Sequence, residues 1–86
     1  MRFLIQNTWK EPPTEEVQAL IPAELARTKE LAEQGISEAL YVAADRSGAW
    51  EVWNCESEEA LEEIKKTLPL HKYLNSEITL LQSDDS

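Results

Sequence analysis

The sequence predicts an α+β fold in which a four-stranded antiparallel sheet carries two helices on one face. Three observations predict it. The opening stretch alternates in the way of a strand, two later stretches repeat apolar residues at helical spacing, and an Asp-Arg-Ser-Gly turn separates two further strand-like stretches.

Arg2 to Trp9 places Phe3, Ile5, Asn7 and Trp9 on one face and Leu4, Gln6 and Thr8 on the other, and its aromatic and branched residues suit a strand. Lys10-Glu11-Pro12-Pro13 ends it, because proline supplies no ladder donor. Thr14 is a good N-cap, with Glu15 and Glu16 placed to complement the helix dipole. The helix is expected to run to Gln34, with Gly35 in the left-handed position after it and a kink at Pro22, which removes a backbone donor and crowds the carbonyl of Gln18. Ser37 to Asp45 and Ala49 to Cys55 are the next two strands. The intervening Asp45-Arg46-Ser47-Gly48 suits a type I turn, with aspartate first and glycine fourth. That hairpin would set Ala43 opposite Trp50, Tyr41 opposite Val52 and Ala39 opposite Asn54 on one face, and Val42 with Glu51 and Leu40 with Trp53 on the other. Ser57 caps a second helix with Glu58 and Glu59 in its first turn. Leu61, Ile64 and Leu68 form its buried stripe, and Pro69 stops it. Glu77 to Gln82 is the last strand. The order βαββαβ is the split βαβ, or ferredoxin-like, arrangement. A single domain is expected over residues 1–82, with 83–86 (Ser-Asp-Asp-Ser) as a flexible acidic tail. Helices on one sheet face leave the other bare, and a second sheet laid on it is a simple route to a dimer.

The 86 residues make a marginal core, so self-association is the usual remedy. Eight basic against 17 acidic residues give a net charge of −9, which argues against nucleic acid and anionic membranes as partners. Cys55, the single cysteine, cannot form an internal disulfide and reads as a core or interface residue. One histidine, with no CxxC and no HExxH, gives no zinc motif, and no metal is expected. No apolar run approaches a membrane span, and the opening Met1 to Asn7 is too short and soon too polar for a signal peptide. A soluble, cytoplasmic protein is the expectation.

One residue interrupts the apolar pattern. A helix turns about 100° per residue, so Val17, Glu24 and Leu31, spaced by sevens, fall on one line, flanked by Ile21 and Thr28. A carboxylate on a buried stripe is costly unless paired or neutralised. Glu24 therefore reads as a general base whose pKa burial would raise. The alternative is that the helix restarts at Pro22 and Glu24 sits in a new first turn, where glutamate favours the free N–H groups.

Glu30-Leu31-Ala32-Glu33-Gln34-Gly35, Glu58-Glu59-Ala60-Leu61 and above all Leu68-Pro69-Leu70-His71-Lys72-Tyr73-Leu74, with the opening strand and the Lys10-x-Pro12 step, resemble the muconolactone Δ-isomerase family over nearly the whole chain. The resemblance implies a ferredoxin-like protomer that pairs sheet to sheet as a dimeric α/β barrel, and further into larger rings of dimers. It implies a reaction without metal or organic cofactor on a small unsaturated lactone bearing a carboxylate. A base takes a proton from the γ carbon, a dienolate forms, and the proton returns at the α carbon. It also implies a helix-borne glutamate eleven residues before the helix-ending glycine; counting back from Gly35 reaches Glu24. The isomerases carry tyrosine and asparagine where Ser47 and Ala49 stand, and an aromatic residue where His71 stands. Ser47 can still donate a hydrogen bond; Ala49 cannot.

The expected function is accordingly proton transfer within a small unsaturated lactone or related carbonyl compound, with Glu24 as the catalytic residue. The alternatives are a non-catalytic small-molecule binding or assembly protein of the same fold, and a cofactor-free oxygenase or cyclase of the dimeric α/β barrel class. Asn7, Tyr41, Ser47, Trp50 and His71 are the candidate substrate-binding residues. Tyr41, Trp50 and Asn7 are expected to face the helices with Phe3 and Ile5, as pocket wall or as ordinary core. Tyr41, Asn7 or Ser47 would donate to the developing enolate. His71 is either a second acid/base or a surface cap. Glu51 is expected to face the partner sheet, although a one-residue register error would bring it to the helix side as a reserve acid. Lys10, Arg27 and Lys72 are the cations placed to meet a substrate carboxylate.

Overall fold

Alternating strands and capped helices assemble in the expected order. The computed structural model describes residues 1–82, so the expected acidic tail lies outside the described residues. The elements are β1 (Arg2–Trp9), α1 (Glu15–Gln18), α2 (Ile21–Glu33), β2 (Ser37–Val42), β3 (Gly48–Asn54), α3 (Glu58–Lys65), a 3-10 turn (His71–Tyr73) and β4 (Leu74–Leu80). The strands form one antiparallel sheet ordered β2-β3-β1-β4, the ferredoxin-like topology. Thr14 Oγ1 accepts from Val17 N at 3.3 Å, Ser57 Oγ accepts from Ala60 N at 3.1 Å, and Gly35 takes the left-handed position after α2 with φ of 79°. Phe3, Ile5, Leu31, Trp53, Cys55, Leu61 and Leu68 form the core between sheet and helices, with Ile36, Ile64 and Ile78 against it. Among the described residues no helix is long and apolar enough to cross a membrane.

Three local expectations are corrected. The first helix is broken, not bent. α1 is a single turn, and α2 begins at Ile21 with Pro22 in its first turn, where the missing N–H has no partner to lose. Glu24 thus stands in the first turn of α2, its own N–H donating to Leu20 O at 2.9 Å. β4 starts at Leu74 rather than Glu77, because β1 offers a ladder as far as Trp9, which pairs with Leu74.

The third correction concerns the hairpin. Arg46 N donates to Ala43 O at 2.9 Å and Arg46 takes a left-handed backbone with φ of 61°, so the chain reverses earlier than the expected turn at Asp45. Tyr41 consequently pairs with Trp50 and Val42 with Ala49, a slide of two residues. An even slide leaves the same residues sharing a face. Which face looks at the helices is decided by β1, where Phe3 pairs with Trp53 and Ile5 with Glu51. Trp53, fully buried, and Glu51 therefore face the helices, the reverse of the expected orientation for Glu51. Tyr41 and Trp50, expected beside Phe3 and Ile5, lie on the bare face at 66% and 40% exposure. Burying Trp53 fixes the choice: β3 alternates, so its two tryptophans cannot both enter one core.

Gly48 has a packing reason. It opens β3 opposite Thr8, and a Cβ there would lie 2.4 Å from Asn7 O.

Candidate active site

The break before α2, the reversal at Arg46 and the bend after α3 together leave a cleft of about 390 Å³ on the helix side of the sheet. That volume suits a small molecule. Its apolar wall includes Trp9, Ile21, Leu25, Leu40, Val42, Leu70 and Leu74, and its charged residues are Glu24, Arg46 and Glu51.

Glu24 enters from α2. Its Oε1 accepts from Leu70 N at 3.0 Å, an anchor supplied by the segment after α3. Burial pushes its pKa above the ordinary 4.5, and the Leu70 N–H opposes part of that rise by favouring the ionised form. Glu24 is thus both the first-turn glutamate and the half-buried carboxylate that the sevenfold spacing singled out. Thr28 Oγ1, one turn on, donates to Glu24 O at 2.9 Å.

Glu51 forms the floor from β3 and is only 5% exposed. Its Oε2 accepts from Asn7 Nδ2 at 2.9 Å and its Oε1 from Trp53 Nε1 at 3.3 Å. Asn7 is oriented in turn by Ser76 Oγ, which donates to its Oδ1 at 2.5 Å. The Glu51 pKa is also raised. Burial is the main cause, the Trp53 indole opposes it, the negative charge of Glu24 adds to it, and the Asn7 amide opposes it. Two carboxyl groups in one cleft, with the charge of Glu24 disfavouring ionisation of Glu51, are arranged to hold and move protons.

Arg46 projects from the β2–β3 turn. Its carbonyl accepts from Trp9 Nε1 at 3.0 Å, tying the turn to the end of β1. Among the described residues it is the one basic side chain on the cleft lining, and nothing in the sequence pattern singled it out. Its left-handed backbone, which aims the side chain, has no local signature in arginine.

Of the sequence candidates, the cleft brings together Glu24 and Asn7. Tyr41 and Trp50 lie on the opposite face of the sheet. Ser47 is exposed on the turn, where its side chain and its N–H, which donates to Asp45 Oδ1 at 3.0 Å, hold the Asp45 carboxyl below its usual range. His71 stands in the 3-10 turn outside the lining. Lys10 and Lys72 line a separate groove beside Pro12 and Pro13, and Arg27 is engaged with Thr67 and Glu30. Among the described residues, no three or more histidine, cysteine, aspartate or glutamate side chains group closely enough to hold a metal ion.

Comparison with known proteins supplies the context for this geometry. The family model for muconolactone delta-isomerase matches residues 1–86. A solved muconolactone isomerase is 28% identical, with a TM-score of 0.70 over 100% of this chain and 94% of its own. The 5-chloro-2-hydroxyhydroquinone dehydrochlorinase of Burkholderia phenoliruptrix, solved with 2,5-dihydroxybenzoquinone, shares the fold at 14% identity and a TM-score of 0.79, over 99% of this chain and 97% of its own. Comparison with curated proteins finds no match. The chain belongs to the muconolactone delta-isomerase family.

Proposed function

We propose that the protein is a cofactor-independent isomerase that moves a proton within a small unsaturated lactone or related carbonyl compound bearing an anionic group. The observation that carries this reading is Glu24. One of its oxygens is anchored by Leu70 N–H and the other has no protein hydrogen bond among the described residues. The group lies in a cleft sized for a small molecule, with its pKa raised toward the range where a base works at neutral pH. In this reading Glu24 removes the γ proton, the electron pair moves through the conjugated system to the carbonyl oxygen, and the proton returns from Glu24 to the α carbon. Arg46 meets the substrate's anionic group, a pairing that suits the planar guanidinium. Family kinship and the exposed Tyr41 and Trp50 support a second proposal, that the bare face pairs with another copy.

The test is to incubate the protein with muconolactone and follow the ultraviolet change. Wild type is expected to turn it over, Glu24→Gln to lose about 10²–10⁴ in kcat, and Arg46→Ala to raise KM. No turnover by wild type, or full turnover by Glu24→Gln, overturns the reading. Muconolactone bound tightly but recovered unchanged would make the cleft a binding site instead.

A further inference from the structure

A base at Glu24 leaves the other end of the reaction unanswered. Charge develops on the carbonyl oxygen as the proton leaves, and a donor aimed at that oxygen is worth about 10²–10³ in rate. Most neutral donors on the lining are turned elsewhere. Thr28 Oγ1 donates to Glu24 O and Trp9 Nε1 to Arg46 O, while Asn7 Nδ2 gives one of its two N–H groups to Glu51. Ala49 offers no side-chain donor, and Ser47 is outside the lining. Glu51 remains.

We propose that Glu51 is a second catalytic residue of the cleft, a carboxyl group kept neutral by its surroundings whose O–H donates to the enolate oxygen while Glu24 holds the transferred proton. This inference rests on the isomerase reading and extends it.

Burial without a paired cation carries the argument, and the hydrogen-bond network is compatible with it. An indole N–H only donates, and Ser76 fixes Asn7 so that its Nδ2 faces Glu51. Both Glu51 oxygens must therefore accept. A neutral carboxyl group accepts both bonds and still has one O–H to give. An ionised one would sit 95% out of water with no cation paired to it among the described residues. The charged groups sharing its cleft are Glu24 from α2 and Arg46 from the β2–β3 turn. β1 contributes Asn7 and Trp9, and the segment leading into β4 contributes Leu70 and Leu74, all uncharged. Glu24 disfavours ionisation of Glu51, in keeping with the direction of its pKa. No net transfer from Glu51 is required. The C–H bond breaks to Glu24, the oxygen gains charge and a hydrogen bond, and that charge returns to carbon as Glu24 delivers the proton. A carboxylic acid held neutral at working pH is an effective donor of this kind.

The test reads Glu51 directly. Infrared spectra of the full chain at neutral pH are expected to show the C=O stretch of a protonated carboxyl group, shifted by deuteration, absent in Glu51→Gln and present in Glu24→Gln. Adding 4-nitrophenolate, a planar oxyanion that mimics a dienolate, is expected to shift that band. In turnover, Glu51→Gln is expected to lower kcat at least about tenfold with KM nearly unchanged and to remove the alkaline limb of the pH profile. Lack of a protonated carboxyl band in wild type at neutral pH, or a band that ignores 4-nitrophenolate, overturns the assignment. The spectroscopic arm needs no turnover. Inactivity toward muconolactone therefore refutes the isomerase reading alone, and the band still decides whether Glu51 is held neutral and meets an oxyanion.

Discussion

Replacing Glu51 with glutamine is expected to cost stability in acid and less of it as pH rises. The unfolded chain ionises this group near its ordinary value of 4.5, whereas burial raises the folded value. The folded protein therefore holds a proton that the unfolded chain has released. Stability from this group is complete below 4.5 and is lost as pH rises through the folded value, at up to about 1.4 kcal/mol per pH unit. Glutamine does not titrate, so it removes that slope. It also has one acceptor where Asn7 and Trp53 require two, which costs about 1 kcal/mol. The variant should then be less stable than wild type in acid, and the gap should narrow as pH rises above 4.5. Urea unfolding followed by tryptophan fluorescence, at fixed protein concentration and a series of pH values, measures the difference. A gap that stays flat from about pH 5 to about pH 8 would refute the reasoning, because it would mean that Glu51 titrates alike in both states.

Gly48→Ala should destabilise the fold by about 1–3 kcal/mol and lower Tm measurably, since the new Cβ would press on Asn7 O at 2.4 Å; an unchanged thermal transition would show that β1 yields there freely. Trp50→Lys on the bare face should leave the circular dichroism spectrum intact and convert a dimer into a monomer in sedimentation; a wild type that already sediments as a monomer would remove the basis for sheet-to-sheet pairing.

The features legible in the sequence were those set by neighbouring residues. Thr14 and Ser57 cap because their hydroxyls reach an N–H three residues on, and Gly35 ends a helix because it tolerates positive φ. Glu24 was visible as an interruption in an apolar stripe. What escaped was decided at a distance. The hairpin register turned on Arg46 adopting a left-handed backbone, which arginine does not advertise. The orientation of Glu51 followed from β1 pairing Ile5 with it, a contact no local pattern encodes. The repeat of tryptophan at Trp50 and Trp53 held the ambiguity: three positions apart, they must face opposite ways, and either could have been the core residue. Arg46 entered the cleft only because the earlier reversal carried it there.

The place of β1 in the sheet has a consequence for how the chain is made. It is the first strand in sequence, yet it lies between β3 and β4, and Phe3 pairs with Leu80 near the far end of the described chain. During synthesis β1 waits without either neighbour until α1, α2 and β2 have been translated and β3 follows. The first structure open to it is local: the helical turns before Gly35, then the β2–β3 hairpin. Completing the sheet is thus a late, long-range event, slower than in a helical protein of this length and sensitive to whatever holds β1 apart from other chains in the meantime. The acidic balance of the sequence, through repulsion between nascent copies, acts during that interval.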